Sequence, residues 1–133
     1  MKELVGYQFE PYTYKVELGK VKEFAQAIGD PNPAYFSGGA LPPTFPTVVE
    51  MWGGVDFFKL INELGLNLPK VLHGEQEYEY FAKVSPGDTL TVNSVVTKTS
   101  QKAGMKFVTI ESDFHNELGE LVWKGKSMLI ERP

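Results

Sequence analysis

The chain has 133 residues, 13 Lys and Arg against 17 Asp and Glu, a formal charge of −4 at pH 7, and hydrophobic and charged fractions of 42% and 23%. These proportions suit one globular domain over 1–133 with a real core, and they argue against disorder. Scattered Lys and Arg exclude a polyanion-binding face, and with it nucleic acid, while the absence of cysteine excludes disulfides, thiolate nucleophiles and Cys-based zinc sites.

Residues 1–6 lack the apolar segment of a secretory leader, and no later apolar run is long enough to span a bilayer, so a cytoplasmic chain with no membrane partner is expected. Between 6 and 16, Tyr7, Phe9, Tyr12, Tyr14 and Val16 form a β-prone stretch. Pro11 interrupts its alternation, which suits an edge or bent strand. An amphipathic helix follows over 18–28, with Val21, Phe24, Ala25 and Ile28 at i, i+3, i+4 and i+7, and Gly29 where a glycine closes such a helix. Asp30-Pro31-Asn32-Pro33 is then stiff and irregular, because each proline holds its own φ and extends the residue before it.

Residues 47–64 form the longest helical candidate. Val48, Met51, Trp52, Val55, Phe58 and Ile61 keep helical spacing, and Val49, Phe57 and Leu60 widen the apolar arc, so burial around much of the circumference is expected. Gly53-Gly54 costs about 1 kcal/mol each in propensity relative to Ala, which suits a place where another backbone comes close. The remainder alternates as strands, over 71–84, 89–99, 106–115 and 120–130, separated by turns at Ser85-Pro86-Gly87-Asp88, 100–104 and Asn116-Glu117-Leu118-Gly119. The class is α+β: a first strand, a helical region, then an antiparallel meander curved around a long central helix.

Asp30-Pro31 reads, on its own residues, as a loop-stabilising turn. His73 and His115 lie far apart, with no clustered carboxylates at ligand spacing, so no metal is expected. Glu75, Glu77 and Glu79 alternate along a strand and mark its solvated or interface face. Glu50 and Asp56, on the long helix, read as solvated-face residues.

Gly29-Asp30-Pro31-Asn32-Pro33-Ala34-Tyr35 resembles the signature of the R-specific enoyl-thioester hydratases of the MaoC-like hot-dog family, in which Gly-Asp-x-Asn-Pro is followed one residue later by a catalytic His. Leu41-Pro42-Pro43-Thr44-Phe45-Pro46-Thr47, His73-Gly74-Glu75-Gln76-Glu77-Tyr78-Glu79-Tyr80 and Val84-Ser85-Pro86-Gly87-Asp88-Thr89-Leu90 are similar to the dehydratase N-terminal-domain branch of that family, in the same order. The resemblance implies a hot-dog domain that joins a second copy or a related domain into one sheet. It also implies acyl-CoA or acyl-carrier-protein thioesters as substrates, and no metal or redox cofactor.

By this resemblance Asp30 supplies a carboxylate for acid–base work, and Tyr35 stands where the His belongs. A phenol with a reference pKa near 10 donates hydrogen bonds at neutral pH and is a poor base. The protomer's own site is therefore expected to be inactive or feeble, and to serve in a homodimer or in a heterodimer beside a subunit with the complete Asp/His pair. Oxyanion donors come from backbone amides at the start of the central helix, where Thr44, Phe45 and Thr47 have N–H groups and the nearby prolines do not. Asn32 joins the substrate-binding set through the motif. Trp52, with Phe57 and Phe58, is assigned to the acyl pocket. Two alternatives are a non-catalytic acyl-thioester binding or scaffolding protein, and a hot-dog thioesterase in which Glu50 or Asp56 activates water.

Overall fold

The structure, a computed structural model, describes residues 4–54 and 57–133. Five antiparallel strands make one sheet in the order β1-β3-β4-β5-β2: β1 Tyr12–Lys15, β2 Val71–Tyr80, β3 Thr89–Lys102, β4 Met105–His115 and β5 Leu121–Glu131. Four helices, α1 Leu18–Ala27, α2 Ala34–Ser37, α3 Phe45–Gly53 and α4 Phe57–Glu63, lie between β1 and β2, and a 3-10 turn at Leu68–Lys70 leads into β2. No helix among the described residues is long and apolar enough to cross a membrane.

The expected elements appear in the expected order, with three differences. The strand expected over 6–16 is regular only across Tyr12–Lys15, with an isolated bridge from Gln8 to Val95 before Pro11. The meander holds for β3, β4 and β5, but β2 crosses to the far side and pairs with β5. The helix expected over 47–64 is two, because Gly54 leaves helical geometry at φ −122° and ψ −136°. Aromatic crowding accounts for the glycines there. A Cβ at Gly53 would lie 2.7 Å from Tyr14 Cδ2, and one at Gly54 would overlap the Tyr12 ring. Val55, an expected apolar position of that helix, lies outside the described residues.

Helix α1 buries Val21 and Ala25, one turn apart, and sets Phe24 edge-on to Phe45 at 5.9 Å. Gly29 closes it in the left-handed region at φ 71°, and the Asp30 N–H returns to the Ala25 carbonyl at 3.0 Å. Bulges at His73/Glu75, Val96/Lys98 and Phe114/His115 add local bend and twist to the strands.

The core comes in two clusters. One gathers Val16, Val21, Ala25, Tyr35, Phe45, Val49, Leu90, Val92, Phe114 and Trp123 under α1 and α3. The other gathers Phe9, Ile61, Leu64, Val96, Val108, Ile110 and Leu129 under α4.

Candidate functional site

Strand register explains why the core divides. Across the sheet, Val92, Phe114, Trp123 and Tyr80 share one row, and Val96, Ile110, Ser127 and Gln76 share another. Between them runs Ser94, Ser112, Gly125 and Tyr78, a row with two hydroxymethyl groups, no side chain at the third strand, and a single ring. Small residues in the middle of an inner face leave space that larger rows on either side would fill. Here that space is a cavity of about 360 Å³.

The sheet wall of the cavity includes Ser94, Ser112, Ser127, Ile110 and Leu129, and the edge strand adds His73, Gln76 and Tyr78. The opposite wall is Thr47, Glu50 and Met51 of α3 with Phe57 and Leu60 of α4, and Phe9, Glu10 and Tyr12 close one side. Glu10, Met51 and His73 are exposed members of this lining and mark its open side.

Inside this largely apolar space sits one polar cluster. The Tyr78 hydroxyl donates to Glu50 Oε1, and the Thr47 hydroxyl lies 2.8 Å from the same Tyr78 oxygen. Because the single phenolic proton points at Glu50, Thr47 is the donor in the second bond. Gly125 makes room for the Tyr78 ring: a Cβ there would stand 3.1 Å from Tyr78 Cε1. Ser94 and Ser112 bond to each other at 2.7 Å.

Burial raises the Glu50 carboxyl above its ordinary value of 4.5, and the Tyr78 hydrogen bond opposes this only in part. Burial and the Glu50 charge push Tyr78 and Tyr12 well above the ordinary phenol value, so both remain protonated. The cluster thus offers a carboxyl that accepts when ionised and donates when protonated, next to a permanent hydroxyl donor.

The motif loop is elsewhere. Asp30 Oδ1 accepts the Asn32 N–H at 3.1 Å, and Asn32 Oδ1 accepts the Ala34 N–H at 3.0 Å, so both side chains stabilise turns of their own backbone. Tyr35 is 8% exposed and packed into the first core cluster. None of Asp30, Asn32 or Tyr35 lines the cavity.

At the start of α3 the Phe45 N–H donates to the Pro42 carbonyl at 2.9 Å and the Thr47 N–H to the Thr44 carbonyl at 3.0 Å. Phe45 is fully buried, and Thr44 is the exposed N-cap of the helix. Thr47 reaches the cavity through its side chain. Trp52 is 75% exposed, with Lys20 Nζ 5.6 Å from its ring centroid, and takes no part in the lining; Phe57 does, while Phe58 is exposed.

Glu50 corrects the solvated-face reading. It points between helix and sheet because Thr47, Glu50 and Met51, at i, i+3 and i+4, share the face of α3 turned toward β2. The sequence signal was the polar pair Thr47 and Glu50 inside an apolar arc. Asp56 lies outside the described residues. Glu75, Glu77 and Glu79 are exposed along β2.

Residues 3–124 match the family described as FAS1-like, dehydratase domain region. The chain belongs to this family. It is 32% identical to a UPF0336 protein of Thermobifida fusca, over 98% of this chain and 93% of that protein, and 34% identical to one of Streptomyces griseus, over 98% and 94%. Its fold is the hot-dog fold of the MaoC-like dehydratases. It superposes on a chain of the C-terminally truncated HadBC (3R-hydroxyacyl-ACP dehydratase) complex of Mycobacterium tuberculosis with a TM-score of 0.82 at 21% identity, covering 97% of this chain and 98% of that one. A MaoC-like dehydratase of Phytophthora capsici gives 0.83 at 21% identity, with 97% of this chain matched to 48% of that one. The (R)-hydratase of A. caviae gives 0.60 at 20%, covering 100% and 99%.

Proposed function

We propose that this chain is the non-catalytic partner in a 3-hydroxyacyl-thioester dehydratase, or enoyl-thioester hydratase, and contributes an acyl-binding cavity beside a hot-dog subunit that carries the complete Asp/His pair. One observation carries this reading: at the position of the motif His stands a phenol whose ring packs into the first core cluster, outside the lining of the apolar cavity between helix and sheet. Reversible hydration needs a group that takes and returns a proton near neutral pH, and Asp30 with Tyr35 does not provide one. The cavity, by contrast, has the apolar lining that suits an acyl chain.

The partner would add to the β2 edge. That strand is ten residues long, pairs among the described residues only with β5, and exposes Leu72, Tyr80 and the adjacent Phe81. Such an edge is a template for another strand, and apolar groups along it reward being covered. The HadBC and ChsH1–ChsH2 structures, both of Mycobacterium tuberculosis, are complexes of this kind of chain, which supports a second hot-dog subunit here.

Hydration of crotonyl-CoA, followed at the enoyl-thioester absorbance, tests this. The chain alone is expected to be inert, and mixing with a partner bearing the full motif to give turnover. Turnover by the chain alone, abolished in Asp30→Asn, overturns the reading. The position of Glu50 in the cavity favours one alternative, thioester hydrolysis with Glu50 activating water; release of free CoA by the chain alone would establish it.

A further inference from the structure

Strand β2 is an edge of the sheet, and its outward-facing side chains have a charge order. Gln76 and Tyr78 face the cavity, so Glu75, Glu77 and Glu79, one residue out of step, stand exposed on the outer face. We propose that this acidic row selects the partner: β2 joins an edge strand that carries Lys or Arg at alternate outer-face positions, and does not join β2 of a second copy of this chain. This rests on the partnered-subunit reading above and adds the chemistry of the partner's edge.

Register across the outer face carries the argument. Glu111, Lys126 and Glu77 lie in one row over β4, β5 and β2, and Asp113, Lys124 and Glu79 lie in the next. Each row runs acid, base, acid. Lys124 Nζ reaches Asp113 Oδ1 at 3.4 Å, and among the described residues no ion pair joins Glu75, Glu77 or Glu79 to a cation. A further strand continues both rows in alternation only by placing a cation beside Glu77 and another beside Glu79. Opposite charges facing each other across strands stabilise the pairing, and like charges oppose it.

A second copy places the wrong charge there. When β2 pairs antiparallel with β2, and the helices of both copies lie on one face, outer residues meet outer residues. Centred on Glu77, that pairing sets Glu77 against Glu77 and Glu75 against Glu79. Slipped by two residues, it sets Glu75 against Glu77, or Glu77 against Glu79. The unpaired backbone of the edge and the exposed Leu72, Tyr80 and Phe81 reward covering by either partner. They supply adhesion without choice, and the carboxylates supply the choice by repelling the wrong strand.

Sedimentation velocity of the full chain at low ionic strength tests this. The wild type is compared with a neutral variant, Glu75→Gln/Glu77→Gln/Glu79→Gln, and a reversed variant, Glu75→Lys/Glu77→Lys/Glu79→Lys. An equimolar mixture of wild type and reversed variant supplies a basic edge of the right shape. The wild type is expected to self-associate about tenfold more weakly than the neutral variant. The mixture should pair more tightly than the wild type or the reversed variant pairs with itself, and lose that advantage in about 1 M salt, where charges are screened within about 3 Å. Salt added to the wild type alone repeats the test with no substitution, and its self-association should tighten. Self-association of the wild type equal to that of the neutral variant, or a mixture no tighter than the self-pairs, overturns the selection by charge while leaving the partnered-subunit reading intact. Monomers throughout, in the neutral variant and the mixture alike, overturn β2 as an interface and the partnered-subunit reading with it.

Discussion

The loop at 29–35 and the cavity between α3 and β2 are opposites. The loop carries the recognisable motif, and Asp30 and Asn32 are spent on its own backbone: Asp30 on the Asn32 amide and Asn32 on the Ala34 amide. The cavity carries no contiguous motif. The polar cluster at Glu50, Thr47 and Tyr78 comes from α3 and β2, 28 and 31 residues apart in the chain, and meets in the cavity. A signature of consecutive residues shows descent; a site is made by residues that become neighbours only on folding. In this chain the motif residues lie outside the lining of the cavity.

Tyr35→His tests that separation most severely. If the loop were a dormant active site, restoring the motif imidazole would restore turnover. Under the proposed reading it would not, since residue 35 packs in the first core cluster and is not among the residues lining the cavity. An imidazole there replaces a larger ring packed in the cluster with Val21 and Ala25, and the lost packing costs about 1–3 kcal/mol. Chemical denaturation should show that loss, and crotonyl-CoA hydration by the variant alone should stay at background. Gain of turnover with stability unchanged would reunite loop and cavity.

How far the sequence revealed each region follows from the same contrast. Helix α1, the order of elements and strands β3 to β5 were legible because their signals are local: apolar spacing of three and four, spacing of two, and turn residues between. The Gly53-Gly54 pair was read as a place where another backbone comes close, and what comes close instead is the side-chain rings of Tyr14 and Tyr12. The break in the long helix was not legible, since apolar spacing continues across it. The place of β2 beside β5 was equally hidden, because alternation along a strand is indifferent to its neighbour. Ser94, Ser112 and Gly125 are unremarkable residues of three strands, and only register lines them up. Glu50 was taken for a solvated charge because charged positions on an apolar helix are ordinarily outward.

A pH series sharpens the cavity side of the comparison. Burial raises the Glu50 carboxyl above 4.5, so the folded chain holds that proton more tightly than the unfolded chain does. The resulting stability is fully present below the unfolded-chain value and is lost as pH rises through the folded value. Glu50→Gln stays uncharged throughout. The wild type should therefore lose Tm relative to Glu50→Gln as the pH rises above 4.5. Parallel Tm curves for the two proteins would place Glu50 in water and remove the polar cluster from the cavity interior.

The smallest effect belongs to the loop, and its smallness is the point. Asp30→Asn keeps an oxygen where Asp30 Oδ1 accepts the Asn32 N–H at 3.1 Å, so the turn survives and unfolding free energy should move by less than about 0.5 kcal/mol. Asp30→Ala removes that acceptor and should cost about 1 kcal/mol. A structural carboxylate gives this order in stability, with no change in hydration by the complex of this chain and its active partner. A carboxylate at work in proton transfer gives the reverse, because an amide neither takes nor returns a proton: Asp30→Asn would then leave stability alone and reduce the turnover of the complex by orders of magnitude. Measuring denaturation and turnover on the same two variants therefore separates a residue that holds a loop from one that serves a reaction.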